Sequence, residues 1–295
     1  MKQDIVREAL NNIHQKKRLA EENYSAKMQK VYEDEKYAEL SKQHTKLMIE
    51  NAKLESLGEK PDIAAEKKLK EQMATIEKKY NLENHTPAYS CKLCKDEGYK
   101  NGTQCKCLKQ EISKVLLKES GFEKLEKFKD AVLTSGDLAP VYKKMQEWCN
   151  ANSSKNLIYL AGPTGVGKTY LMRCMANEFI ENGRVVKIVT AFNMSLDFRD
   201  FLKNHNEEIL QNYLSCEILF IDDIGTEPIF KNATVEYFYL ILNERKMRKL
   251  PTILTGNLTM EDIRNRYEER IYSRIADRQT SITLYLDGQD KRLKK

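Results

Sequence analysis

The stretch Gly162-Pro163-Thr164-Gly165-Val166-Gly167-Lys168-Thr169 has the G-x-x-x-x-G-K-T spacing of a nucleotide phosphate cradle. An apolar run, Leu157-Ile158-Tyr159-Leu160-Ala161, leads into it, and Leu171, Met172, Met175, Ala176 and Phe179 follow at helical spacing. That strand, loop and helix setting is the one the motif requires, and it argues against a chance glycine-rich turn. Glycines let successive backbone N–H groups turn onto phosphate oxygens, and the helix start adds the positive end of its dipole. Lys168 is then expected to reach the terminal phosphates of ATP, and the Thr169 hydroxyl to ligate Mg2+.

Such a site needs acid at the end of a second buried strand, and Ile218-Leu219-Phe220-Ile221-Asp222-Asp223 supplies it twice. Unpaired buried carboxylates are costly, so an apolar run ending in two of them makes poor core, although a strand end at the Ile224-Gly225 turn is the plain alternative. A magnesium ion and an attacking water account for both: Asp222 holds the metal, and Asp223 orients the water toward the γ-phosphate. Further on, Thr252-Ile253-Leu254-Thr255-Gly256-Asn257 reads as a strand ending in polar residues at the same sheet edge. Asn257 is there either to bond the γ-phosphate or lytic water or simply to make a Gly-Asn turn. Thr259 to Asp262 opens a helix as a capping box, and that helix carries Arg270 and Arg274 four residues apart on one face. Exposed arginines are usually only solvated, but this late position in an ATPase core would let one reach a neighbouring subunit's γ-phosphate.

The apolar runs Leu157–Ala161, Val185–Val189, Ile218–Ile221, Thr252–Leu254 and Ile282–Leu286 alternate with helical patterns. This predicts an α/β fold with a parallel sheet, helices on both faces and its ligand at the carboxyl ends of the strands. Gly121-Phe122 through Trp148 reads as a helical lead-in to that core. Within Phe192 to Lys203, Phe192, Phe198 and Phe201 interleave with Arg199 and Lys203. That pattern suits either core packing or a surface for stacking single-stranded DNA.

Upstream, Cys91-x-x-Cys94 and Cys105-x-Cys107 flank an Asn101-Gly102 hairpin signal. Two thiolate pairs at the ends of a short hairpin converge on a tetrahedral zinc site, the alternatives being unliganded thiols or a redox pair. His85 is near enough to substitute as a ligand, while Cys149, Cys174 and Cys216 lack partner spacing and read as small buried apolar residues. Residues 1–84 are rich in Lys, Glu, Gln and Ala and read as two long helices broken at Gly58 to Pro61. Ile5, Ala9 and Ile13 share one face, as do Leu69, Met73, Ile76 and Tyr80. They serve either a self-packed hairpin or a partner-binding module.

A chain of 295 residues with net charge +6 permits an acidic partner without demanding one. No run approaches the length of a membrane span and no signal-peptide core opens the chain, so a cytoplasmic protein is expected, in which the seven cysteines favour metal or thiol over disulfide.

With these motifs in place, the chain resembles the bacterial replicative helicase loaders of the DnaC/DnaI type, a branch of the AAA+ ATPases, most strongly over residues 155 to 290. The resemblance implies a helical partner-binding region at 1–84, a zinc-binding module at 85–110, a linker and helical lead-in at 111–150, and an AAA+ ATPase domain at 151–295. It implies that Gly162 through Thr169 form Walker A, Asp222 and Asp223 Walker B, Asn257 the sensor 1 position and Arg274 the arginine finger, with Arg270 a second trans or sensor contact. It further implies a hexameric replicative DNA helicase as partner, contact with single-stranded DNA, and self-association through the ATPase core. Two departures bear on mechanism. Asp223 stands where many AAA+ proteins have Glu, so hydrolysis is expected to be slow, as suits a timing switch. Only about twenty residues follow Arg274, which leaves no room for a C-terminal helical lid and makes nucleotide affinity depend on the neighbouring subunit. Two other readings stay open: an IstB-type transposition helper ATPase, and a non-hydrolysing adaptor stabilised by ATP.

Overall fold

A computed structural model describes residues 3–82, 86–119, 121–122, 124–131, 138–151 and 153–288. The chain divides into two compact units, Asn12–Glu97, and Met1–Asn11 together with Gly98–Lys295.

The helices of the first part are α1 (Gln3–Tyr32), α2 (Glu35–Ser56) and α3 (Ile63–Lys79). The break at Gly58 to Pro61 falls where it was expected, but a second one, at Glu33-Asp34, was not. It carries neither Gly nor Pro; Asp34 instead caps α2 by accepting hydrogen bonds from the Lys36 and Tyr37 amides at 3.1 and 3.2 Å. In the Asn12–Glu97 unit, Val31, Tyr37 and Leu82 form a small core against which Met73, Ile76 and Tyr80 of the predicted stripe pack. The hairpin of β1 (Tyr99–Lys100) and β2 (Thr103–Gln104) has Asn101 and Gly102 both at positive φ, 51° and 75°, the type I′ turn that the dipeptide specifies.

In the larger unit the elements run α4 (Lys106–Glu119), α5 (Leu138–Asn150), β3 (Leu157–Ala161), α6 (Lys168–Glu181), β4 (Val186–Thr190), α7 (Ala191–Asn204), α8 (Glu207–Ser215), β5 (Ile218–Ile224), α9 (Thr234–Met247), β6 (Thr252–Gly256), α10 (Met260–Ala276) and β7 (Ser281–Tyr285). The five strands form one parallel sheet in the order β4-β5-β6-β3-β7. Strand alternation sorts their side chains into two cores. Ile158, Leu160, Ile188, Phe220 and Ile253 pack with Met145, Met172 and Phe179 of α5 and α6. Leu157, Tyr159, Val189, Leu219, Ile221 and Leu254 pack with Phe198, Phe238 and Ile271 of α7, α9 and α10. All five predicted strands are present, each displaced by no more than a few residues. The lead-in is less regular than expected: between α4 and α5 the described residues hold a 3-10 turn at Phe128–Asp130 and no α-helix.

Arg245 fixes the amino-terminal edge of the sheet. Fully buried, it donates to the carbonyls of Tyr213, Cys216 and Pro251 at 2.9, 2.7 and 2.8 Å and to the Thr252 hydroxyl at 2.9 Å. Replacing it strands several buried carbonyls at once. Arg245→Ala is therefore expected to cost on the order of 3 kcal/mol, read as a lowered denaturation midpoint with unchanged slope.

Candidate nucleotide site

The loop between β3 and α6 is shaped by glycines that no other residue replaces. Gly162 has φ +148°, and a Cβ there would lie 2.1 Å from the Leu286 carbonyl oxygen. Gly167, at φ 101°, is the left-handed N-cap of α6, so the chain enters the helix with the Lys168 and Thr169 amides in its open first turn. Lys168 is buried, its Nζ donating to the Gly162 and Pro163 carbonyls at 2.8 and 2.7 Å, which closes the loop around the ammonium group. The Val166 side chain belongs to the core, so only its backbone faces the loop.

The two aspartates are separated by a bulge. Between Ile221, paired with Leu254, and Ile224, paired with Gly256, β5 carries an extra residue against β6, and Asp223 takes φ 55°. The bulge turns adjacent side chains apart. Asp222 is buried, accepting from the Thr255 hydroxyl and, at 3.2 Å, from the Thr169 hydroxyl, while Asp223 is exposed. Burial raises the Asp222 pKa, with the Asp223 charge acting in the same direction and the Thr255 and Thr169 hydroxyls and Arg173 opposing it. A bound cation would relieve that cost, and a hydroxyl beside a carboxylate is the oxygen donor set that Mg2+ takes alongside phosphate. Thr169 and Asp222 thus fit the metal expected of them.

Thr164, Gly165, Gly167, Lys168, Thr169, Asp222, Asp223 and Asn257 all line one cavity of about 760 Å³. The structure therefore brings together residues from three strand ends, as the sequence predicted. It adds a wall that the sequence reading missed. Phe122, Asp130, Ala131 and Tyr142, from the stretch read only as linker and lead-in, line the same cavity with Tyr170 and Arg173. Arg173 stands four residues after Thr169, hence on the same face of α6, a phase that helical spacing alone discloses. Its guanidinium lies 5.4 Å from the Phe122 ring centre. No local pattern marks Phe122, Asp130, Ala131 and Tyr142, because their place at the cavity is set by contacts distant in sequence.

Arg270 and Arg274 do not line this cavity. Both lie over the Tyr239 ring of α9, at 5.2 and 4.3 Å from its centre. Arg274 also donates to Tyr239 Oη at 2.8 Å and to Asn243 Oδ1 at 2.9 Å. Phe198 is buried in the core and Phe201 packs 5.1 Å from Tyr237, so of the three aromatics of α7 only Phe192 is exposed. Helical spacing there served packing.

Cys91, Cys94, Cys105 and Cys107 are a set of thiols that could hold a metal ion. Four thiolates are a complete ligand set for tetrahedral zinc, so the donors fit. Asp96 shapes the first knuckle by accepting from the Ser90 and Cys91 amides at 2.8 and 2.7 Å. His85 lies outside the described residues. Burial raises the pKa of the Cys149, Cys174 and Cys216 thiols, that of Cys174 to about 12, as expected of inert core residues. Among the described residues no helix is long and apolar enough to cross a membrane.

Residues 112–295, more than half of the chain, match the model of the IstB-like ATP binding protein family. The chain belongs to the IstB-like ATP-binding family. It is 33% identical over 137 residues to the chromosomal replication initiator protein DnaA of Campylobacter jejuni, covering 43% of this chain and 30% of that one. It is 28% identical over 236 residues to the phage-like element PBSX protein XkdC of Bacillus subtilis, covering 70% and 85%. The crystal structure of DnaI superposes with a TM-score of 0.46 at 26% identity, covering 56% of this chain and 90% of that one. The chain spans less than a third of the length of the DnaA relatives it matches. The resemblance to loaders of the DnaC/DnaI type fits membership of this ATP-binding family.

The Gly162 geometry makes a direct prediction. Gly162→Ala forces the loop away from Leu286 and should weaken binding of a fluorescent ATP analogue at least tenfold, measured by titration, with the thermal transition retained.

Proposed function

We propose that this protein is an ATP-hydrolysing loader of the replicative DNA helicase, using ATP as an assembly switch on single-stranded DNA. The observation that carries the reading is the convergence of Lys168, Thr169, Asp222, Asp223 and Asn257 on one cavity. On this reading the loop amides and Lys168 hold the β- and γ-phosphates, and Thr169 and Asp222 hold Mg2+. The metal, when bound, neutralises phosphate charge and polarises the γ-phosphate. Asp223, exposed at the bulge, accepts a proton from the attacking water, and Asn257 orients that water or the γ-phosphate. Arg274, with Arg270 beside it, completes the site of an adjoining copy by stabilising transition-state charge. The organisation proposed is the one implied by the resemblance: helices at 1–84 and a zinc module at 85–110 that engage a hexameric helicase, a lead-in at 111–150, and the ATPase core at 151–295.

The family match favours a second reading, an IstB-type transposition helper, since its model carries that name; it leaves the first 111 residues unmatched. Those residues, with their helices and four-cysteine cluster, support the loader. The deciding experiment uses the full chain with Asp223→Asn, held with ATP, as bait in a bacterial lysate. A hexameric helicase among the captured proteins supports the loader, and a transposase overturns it. The same variant should bind ATP normally yet lose at least tenfold in turnover, whereas parent turnover rises with protein concentration and with single-stranded DNA. Unchanged turnover in Asp223→Asn would instead support a non-hydrolysing adaptor.

The cysteine set predicts one zinc per chain, released into a chromogenic chelator on denaturation. Cys94→Ser should lower that ratio and reduce the melting temperature.

A further inference from the structure

Glu227 is a buried carboxylate, 3% exposed, in the loop that follows β5. Each of its oxygens serves a different element. Oε2 accepts the Gly225 amide at 2.8 Å, two residues beyond Asp223. Oε1 accepts the Tyr267 hydroxyl and, at 3.3 Å, Arg266 Nε, both from α10. Arg266 Nη2 also donates to the Glu227 carbonyl, so side chain and backbone are gripped together. Burying a carboxylate costs several kcal/mol unless its partners are well placed, and simple packing would be met more cheaply by an apolar residue.

The grip lies next to a discontinuity. Glu268, the residue after Tyr267, has φ 68° and ψ 167°, so α10 is two helical pieces joined by a kink. A non-glycine residue in this region of positive φ is strained and persists only when its surroundings impose it. Here the surroundings are the Glu227 grip on one side and, on the other, the Glu268–Arg270 pair at 3.1 Å together with both arginines over Tyr239. A single carboxylate therefore joins the strand end that carries Asp223 to the residues bordering the kink, beyond which lie Arg270 and Arg274.

We propose that Glu227 is a positioning residue that couples a chain's own nucleotide site to the arginines it offers to its neighbour. The proposal rests on the reading that Arg270 and Arg274 act on an adjoining copy. A shift of Asp223 and Gly225 against bound nucleotide pulls on Oε2, and Oε1 passes the shift to Arg266 and Tyr267 and so to the kink. Each site would then report its occupancy to the next one through its arginine-bearing half-helix.

The test uses the full chain with Glu227→Gln and, as a milder variant, Tyr267→Phe. Glu227→Gln is expected to bind a fluorescent ATP analogue within about twofold of the parent, since none of its contacts lines the cavity. Its turnover should fall at least tenfold and no longer rise with protein concentration, and Tyr267→Phe should show a partial loss. Adding Arg270→Ala and Arg274→Ala to Glu227→Gln should cost nothing further, because the arginines would already be misplaced. Hydrogen exchange gives a readout that a merely structural role would not move. ATP should alter protection of residues 268–276 in the parent, and in Glu227→Gln the change should stop within residues 222–226. Parent-like concentration dependence in Glu227→Gln, or an ATP response at 268–276 that survives it, overturns the proposal. If Glu227→Gln fails to fold, the same two measurements on Tyr267→Phe decide. Should the double arginine variant alone keep parent turnover, action on the neighbour is refuted, while the exchange measurement still judges the coupling.

Discussion

The Thr255 hydroxyl is the joint on which the site depends. It donates to Asp222 Oδ1 and accepts the Asp223 amide at 3.0 Å, so one oxygen satisfies both residues of the bulge from the neighbouring strand. A carboxylate as buried as Asp222 survives in a sheet only with such donors, and Thr169 supplies the second. The Thr169 and Thr255 bonds to Asp222 tie the amino end of the phosphate loop's helix to the carboxyl ends of β5 and β6. Because the strands are parallel, those ends lie at one edge, where loops from three strands can share a cavity. The proposed division of labour between the two aspartates rests on this geometry. The bulge leaves Asp222 inward and poor in solvent, suited to a metal, and Asp223 outward and wet, suited to a water.

Much of this was legible in the sequence because the signals are local. A glycine pattern between an apolar run and a helix places the loop, and an apolar run ending in Asp222-Asp223 places the acid. Asn101-Gly102 states its turn type outright. The bulge itself was not legible, since nothing in the run Ile218 to Asp223 marks it and only the pairing with β6 shows the extra residue. Long-range placement was hidden too. Phe122, Asp130 and Tyr142 line the cavity through contacts distant in sequence: Tyr170 Oη donates to the Asp130 carbonyl at 3.3 Å, and Arg173 meets Glu126 at 3.4 Å. The helix break at Asp34 escaped because a side-chain N-cap starts a new helix without the Gly or Pro that advertises a turn.

The aromatic pattern of α7 shows the reverse case. Phe192, Phe198 and Phe201 have the composition of a stacking surface, yet Phe198 lies between Tyr213 and Tyr237, with ring centres at 5.9 and 5.5 Å. A helix laid on a sheet buries whichever face carries its large apolar residues, so interleaved charges such as Arg199 are left at the border, here 5.2 Å from the Phe230 ring. Composition alone cannot separate the two outcomes. The separation comes from which residues the sheet needs.

The two arginines beyond the kink differ in how their charge is answered. Arg270 is paired with the Glu268 carboxylate, so part of its charge is already answered. Among the described residues, the hydrogen-bond partners of Arg274 are neutral: the Asn243 amide, the Tyr239 and Ser273 hydroxyls and the Arg270 carbonyl. Stacked on an aromatic ring and held by neutral acceptors, its guanidinium is ordered without being neutralised. An anion brought against it would gain the full charge interaction and lose little freedom in the side chain. On the proposed reading that is the requirement for a residue acting across a subunit boundary, and it assigns the principal trans contact to Arg274, with Arg270 stabilising the kinked half-helix that presents it.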